Sequence, residues 1–359
     1  MPTDFVHLPD APLPLPLLIT GVSGIPGYSA FFYFRRRGAG KVVGIRPTAT
    51  FRLTGPGIVP LDTEDEGALD RLFREHRFRA VLDTTGNCAL KPCELDPELS
   101  RRANVQSAIH IARVARRHGA RLVHLSSDLV YSGCGTGVYV ETDPVDPVTV
   151  YGKCMAEAEL AVAAIDPTAA LLRIPLPMGP SFNRHAGAID WISYRFRNGR
   201  PATLYFDEVR SVPYCDDMNR VFAHFLAHDI GGLFHLGAPR PVTLYQIGQI
   251  VNRVGGYSPA LLRGCPRVEA GPMPPRAGDV SMDSSKLHAL LGGDPFRPWP
   301  FDAALVPTDR AWHHERASWS GSAALVAERL YQSGEGESVV DEILDSLRQE
   351  SLVPMRTHG

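Results

Sequence analysis

Apolar residues along this chain switch between two regular spacings. Short, mostly apolar runs fall at residues 15–20 (LPLLIT), 41–45 (KVVGI), 58–61, 80–83 (AVLD), 122–125 and 170–174 (ALLRI). Between them, apolar positions recur every three or four residues. Short continuous runs suit strands buried on both faces, and the intervening spacing suits helices that lie on them. Residues 101–118 are the clearest helix. Val105, Ala108, Ile109, Ala112 and Ala115 form one face, Arg113, Arg116 and Arg117 turn outward, and Gly119 ends it. Further helices are predicted at 64–76, 188–197, 216–228 and 241–254, the last with Thr243 as N-cap, and strands at 203–206 and 234–236. Strands alternating with helices at this spacing predict an α/β fold, a doubly wound parallel sheet of the Rossmann type. Its ligand site lies at the C-terminal strand ends.

The polar residues at those ends carry the candidate chemistry. The first strand runs into Gly21-Val22-Ser23-Gly24-Ile25-Pro26-Gly27 and then a helix that closes on three arginines and Gly38. Strand, glycine turn and helix, in that order, make a dinucleotide site: the glycines let a pyrophosphate approach the helix N-terminus. Gly21, Ser23, Gly24, Ile25 and Gly27 are therefore predicted to hold a cofactor. Arg46 ends the second strand, where an arginine favours a 2′-phosphate and an acid favours a free ribose. NADP is predicted, with NAD as the alternative. Asp62, Thr84, Thr85, Gly86, Ser126 and Ile174 sit at later strand ends and complete the predicted cofactor edge.

Ser127 closes the strand that starts at 122, and Tyr151 opens the next helix. Two hydroxyls so placed can meet over one reacting carbon. Position 155 shares a helix face with Tyr151, since i and i+4 differ by about 40°. It holds Met155, which supplies no charge. Lys153 lies about 200° round the helix and points away. Because the reference pKa of tyrosine is about 10, an unassisted phenol is a poor base near neutrality but can still act as an acid.

Composition narrows the partners. The chain has 359 residues, 44% hydrophobic and 21% charged, with a formal net charge of −2. That length allows one large α/β domain and a smaller lobe, and that charge argues against nucleic acid or an anionic membrane as partner. No apolar run approaches the length of a membrane span, and no basic segment precedes one near the N-terminus, so a cytoplasmic protein is expected. Six dispersed cysteines, without CxxC pairs or histidine clusters at ligand spacing, predict free thiols and no metal site. His313-His314, as neighbours on different helix faces, are expected at the surface.

TGVSGIPG, LVHLSSDLVYSG, the YVETDPVDP loop, Tyr151-Gly152, GPSFN, DEVRSVPYCDD, GGLFHLG and DVSMDSSKL together resemble the extended short-chain dehydrogenase/reductase superfamily. The closest branch is the dTDP-4-dehydrorhamnose reductase-like group of sugar-nucleotide enzymes. The resemblance covers roughly residues 15–300. It implies hydride transfer at a keto carbon, with Ser127 holding the substrate oxygen, Tyr151 handling its proton, and Asn104 supporting the site. It also implies that Met155 stands where the family has a lysine. Ser127, Asp128, Asn183, Trp191 and Arg210 are implied on the substrate side, Arg210 toward a nucleotide-sugar diphosphate. The expected domains are a cofactor domain (1–173 and 203–237), a substrate lobe (174–202 and 238–305) and a helical extension (306–359) that packs on the lobe or forms a homodimer contact. The expected function is an NAD(P)-dependent keto-sugar reductase with a degenerate motif. The alternatives are a weakly catalytic NADP-binding regulatory or scaffold protein, and an epimerase or dehydratase that retains its cofactor.

Overall fold

Seven parallel strands form the central sheet of the computed structural model, which describes all residues except 1–4, 10, 39, 51, 185, 272, 316–320, 333–339, 344 and 346–359. In chain order the strands are β1 (Leu17–Ile19), β2 (Val42–Arg46), β3 (Ile58–Pro60), β4 (Ala80–Asp83), β5 (Arg121–Ser127), β6 (Ala170–Ile174), β7 (Ala202–Tyr205), β8 (Val209–Arg210), β9 (Gly232–His235), β10 (Val242–Thr243) and β11 (Leu262–Cys265). The large sheet runs β3-β2-β1-β4-β5-β6-β9, so the chain reverses its direction of winding between β1 and β4. In open α/β sheets ligands bind at such a switch point, in the crevice outside the strand C-termini.

The helices are α1 (Ile25–Arg37), α2 (Glu66–His76), α3 (Leu90–Leu95), α4 (Pro97–Arg101), α5 (Ser107–Arg117), α6 (Val150–Ile165), α7 (Ala188–Arg197), α8 (Cys215–Ala227), α9 (Leu244–Val254), α10 (Ser285–Leu291) and α11 (Ala323–Val326). On one sheet face, Phe31 and Phe34 of α1 and Phe222 and Phe225 of α8 pack over Leu17 and Ile19. On the other, Leu69, Ile111, Ala158 and Val162 from α2, α5 and α6 cover Leu18 and Val81. Strands covered on both faces are why the runs read as mostly apolar segments. Pro26 falls in the first turn of α1, and Arg35, Arg36 and Arg37 fill its last turn.

Three local expectations need correction. The helix expected over 101–118 is broken: a π-helical segment, Arg102–Gln106, separates α4 from α5. The strand predicted at 203–206 is β7, which pairs with β11 and not with the large sheet, so this stretch joins the second lobe. His313 is not at the surface. It is buried (1% exposed) and bonded to Gln249, whereas His314 is exposed.

The second lobe has its own core, in which Ile189 and Ile192 of α7 meet Ile247, Ile250 and Val254 of α9. Thr243 caps α9 through a full capping box with Gln246, as predicted. Trp312, Val326, Leu330 and Tyr331 of the C-terminal extension enter this core, so the extension packs on the lobe. Of the helical extension expected at 306–359, residues 316–320, 333–339, 344 and 346–359 lie outside the described residues. Among the described residues, no helix is long and apolar enough to cross a membrane, and no cluster of metal-ligating side chains occurs.

Candidate active site

The ends of β1, β4 and β5 are stapled by buried polar groups. Thr20 Oγ1 donates to Asp83 Oδ1 (2.6 Å), and His124 Nδ1 lies 2.7 Å from Asp83 Oδ2. Burial alone would raise the Asp83 carboxyl, but the bonds from His124 and Thr20 hold it below its ordinary value. Thr84 Oγ1 donates back to the Thr20 carbonyl (2.8 Å). The glycine turn crosses this staple closely. Gly21 has φ +63°, and a Cβ there would stand 2.4 Å from the Thr84 carbonyl oxygen. At Gly27 a Cβ would stand 2.4 Å from Thr84 Oγ1. Gly24 is exposed and N-caps α1 without any side-chain cap, so the first-turn N–H groups of the helix face the crevice. Ser23 is half-buried beside it. Thr85 Oγ1 is a buried hydroxyl with no partner among the described residues. An open helix N-terminus, a glycine turn with no room for Cβ atoms, and an orphaned hydroxyl at the next strand end fit a dinucleotide.

Other predicted cofactor residues have local duties that the sequence did not show. Arg46 is buried, and donates from Nε to the Leu53 carbonyl (2.6 Å) and from Nη1 to those of Pro47 (2.9 Å) and Thr48 (3.2 Å). Asp62 accepts from Thr48 N and Oγ1, holding the same loop from the other side. Ile174 ends β6 directly beside Ser127. Ser126 is corrected: its hydroxyl donates to Glu159, which Arg173 grips through Nε (2.8 Å) and Nη2 (2.6 Å), so it turns into this buried pair and not toward a cofactor.

At the chemical end, Thr149 caps α6 by accepting from the N–H of Gly152 (2.9 Å). Gly152 lets the helix press against β5's exit, because a Cβ there would stand 2.1 Å from the Leu129 carbonyl. This contact brings Tyr151 beside Ser127, whose hydroxyl accepts from Leu129 N (3.1 Å) and donates to Asp128 Oδ1 (3.3 Å). Asn104 sits in the π-helical segment. Its Oδ1 accepts from Asn87 N (2.7 Å), and its Nδ2 reaches Ser100 Oγ (3.2 Å). The extra residue of a π turn re-aims a side chain, and here it turns Asn104 toward the loop after β4.

Met155 is 3% exposed and shares an apolar cluster with Tyr151, Leu129, Val130 and Met282. Lys153 is on the exposed face, as the helical phase predicted. The cation near Tyr151 is Arg210, and it is already matched. Arg210 donates from Nε and Nη2 to Asp128 (2.5 and 2.7 Å), and its Nη1 lies 3.5 Å from Glu208. Arg276 reaches the other Glu208 oxygen (2.7 Å). Two arginines and two carboxylates sum to zero. Burial works against the Arg210 charge, but Asp128 and Glu208 keep it firmly protonated. Burial, with Cys88 and Asp128 adding to it, pushes the Tyr151 phenol above the usual tyrosine value. Its neutral form is therefore favoured.

This geometry also revises the expected substrate residues. Asp128 and Arg210 are buried and held by each other, not turned outward. Asn183 Oδ1 accepts from Ala186 N (3.0 Å) and lies 3.1 Å from Ser181 Oγ, and Trp191 is 39% exposed on α7 with Arg195 over its ring.

A doubly wound sheet with a glycine turn at its switch point, a serine–tyrosine pair on β5 and α6, and a second lobe over the strand ends define an extended short-chain dehydrogenase/reductase. The chain belongs to the RmlD substrate binding domain family, whose model matches residues 16–306. It is 27% identical over 299 residues to dTDP-4-dehydrorhamnose reductase of Streptomyces griseus, covering 80% of this chain and 92% of that one. It is 26% identical over 310 residues to methionine adenosyltransferase 2 subunit beta of Xenopus laevis, covering 82% and 89%. Among solved structures it resembles the dTDP-4-dehydrorhamnose reductase of Bacillus anthracis in complex with NADP, with TM-score 0.63, 16% identity, and coverage of 76% and 92%. Other relatives and structural neighbours include reductases, epimerases and dehydratases of this type.

Proposed function

We propose that this protein binds NADP, with NAD as the alternative, between the glycine turn and the ends of β2 and β4, and reduces a keto carbon of a nucleotide-activated sugar. The bound cofactor would supply the hydride. In this reading Gly21, Gly24 and Gly27 shape the pyrophosphate turn, and Thr85 and Gly86 flank the nicotinamide half. Three of the five donors of Arg46 serve its own loop; the two on Nη2 are assigned to a 2′-phosphate. Arg46→Ala is then expected to raise the ratio of NADPH to NADH dissociation constants by about tenfold, roughly one charge-assisted bond. Fluorescence titration of both cofactors checks this, and an unchanged ratio would remove Arg46 from the role.

The observation that carries the reaction class is the setting of Tyr151: it is buried in one apolar cluster with Met155, and the nearby Arg210 is paired with Asp128 and Glu208. A phenol held neutral by burial, with no net positive charge beside it, can give a proton and can hardly take one. Reduction needs a donor: as the carbonyl carbon gains hydride, its oxygen takes the Tyr151 proton and becomes a hydroxyl, while Ser127 holds that oxygen. Epimerisation and dehydration that begin by oxidising a sugar hydroxyl need a base at the same position. Met155 therefore favours reduction over both.

The pH dependence follows in sign. The active form is the protonated phenol, and its raised pKa moves any loss of activity to the alkaline side of the ordinary value of about 10. The rate of NADPH oxidation with a 4-keto sugar nucleotide is expected to show no phenol-linked fall between about pH 6 and 9. A fall centred near pH 7–8 would instead mean a lowered phenol pKa and would count against the neutral-acid reading.

A second reading is a cofactor-binding regulatory subunit. It is favoured by the buried Met155 together with the similarity to the adenosyltransferase beta subunit. Tight cofactor binding without oxidation by any keto-sugar nucleotide would select it.

A further inference from the structure

We propose that Tyr331, in the C-terminal extension, is a positioning residue that holds the segment 181–184 against the cofactor end of the site through Asp190. Tyr331 lies beyond residue 306, where the family match ends. It is 4% exposed, and its hydroxyl donates to Asp190 Oδ1. The other oxygen of Asp190 accepts from Ser181 twice, from N at 2.6 Å and from Oγ at 2.7 Å. One buried carboxylate thus joins the extension to the loop that follows β6. Asp190 stands in the first turn of α7, whose N-cap Gly187 has no side-chain cap bond, and its oxygens go to Ser181 and Tyr331.

Both ends of this relay are anchored. On the extension side, Leu330 is fully buried, its carbonyl accepts from Trp299 Nε1 (3.0 Å), and Val326 is in the same core. On the site side, Phe182 meets the ring of Tyr28 edge-on at 6.3 Å, and Tyr28 lies early in α1. Ile25, the first residue of that helix, fills the space at Gly187, where a Cβ would stand 1.9 Å from Ile25 Cδ1. The contacts run without a gap from Tyr331 through Asp190, Ser181 and Phe182 to the helix end that the glycine turn opens. Burial and the Asp190 charge keep the Tyr331 phenol protonated, which is the state that donates. Without that donor, Oδ1 of a buried carboxylate loses a charge-assisted bond, and Asp190 gains by turning back to cap its own helix.

This inference rests on the cofactor reading above, and its test separates the two. Tyr331→Phe keeps the ring and removes only the hydroxyl; Asp190→Asn breaks the relay at its centre. In both variants, amide hydrogen exchange measured by mass spectrometry is expected to speed up about tenfold in peptides covering 180–184. The NADPH dissociation constant is expected to rise about five- to tenfold, with the unfolding midpoint nearly unchanged. The double variant should be no worse than either single one, since one relay can be broken only once. Unchanged exchange at 180–184, or an unchanged dissociation constant, would overturn the proposal. So would faster exchange spread over the whole chain with a lowered midpoint, the mark of a purely structural role. If the unmodified protein binds no dinucleotide, the cofactor reading fails, and the exchange measurement alone decides whether Tyr331 holds the segment.

Discussion

Tyr151→Phe lowers the rate of NADPH oxidation by a keto-sugar nucleotide by about 10²–10⁴-fold, the usual contribution of one positioned proton donor. The ring stays, so the packing of α6 on the exit of β5 is kept. The phenol is buried among Leu129, Val130 and Met155, and its hydroxyl meets Ser127. Losing that hydroxyl leaves the new alkoxide with Ser127 alone, whose own proton is much harder to give up. The cofactor contacts are elsewhere, so the NADPH dissociation constant should stay within about twofold. Stopped-flow absorbance of bound NADPH reads the chemical step directly, and a loss below about threefold would mean that another group supplies the proton.

Met155→Lys has a large effect of a different kind. Position 155 is 3% exposed in an apolar cluster, and the nearby Arg210 is spent on Asp128. An ammonium placed there is buried without a carboxylate, so the cofactor-free variant is expected to lose on the order of 3 kcal/mol of stability. What it gives in return is a cation beside the phenol. Such a charge lowers a pKa by about 1–3 units, which raises the tyrosinate fraction at neutral pH by about 10–10³-fold. The pH at which NADP reduction by the alcohol product gains its base is expected to fall by the same amount, with forward and reverse rates at any one pH changing together because the overall equilibrium is fixed. The pH–rate profiles of the two proteins check this. An unshifted profile would show that the lysine acts on the cofactor and not on the phenol.

What the sequence made legible is what short-range pattern encodes. Ala80–Asp83 and Ala170–Ile174 are strands at the residues expected because both are short, mostly apolar runs too short for a helix. Lys153 and Met155 lie on the faces expected because 100° per residue fixes them. Longer-range facts were not readable. Arg210 and Asp128 are 82 residues apart, and nothing in either neighbourhood shows that they take each other's charge. Ser126 and Ser127 are adjacent and chemically alike; only the Glu159–Arg173 pair, from another helix and strand, separates the structural one from the one beside Tyr151. The π turn around Asn104 has the same apolar spacing as an α-helix to within one residue, so periodicity cannot reveal it. The docking of Tyr331 on Asp190, 141 residues apart, has no local signal at all.

On the proposed reading Tyr151, neutral and beside a cation already paired, serves as the proton donor of a reductase. A single turnover tests this: protein preloaded with stoichiometric NADPH, mixed with a dTDP-4-keto sugar, and followed at the absorbance of the reduced nicotinamide. Complete oxidation of the bound NADPH by the unmodified protein at pH 7 is expected, and loss of that signal by at least about a hundredfold in rate for Tyr151→Phe. NADPH that stays reduced in the unmodified protein, but is oxidised in Met155→Lys, would contradict it.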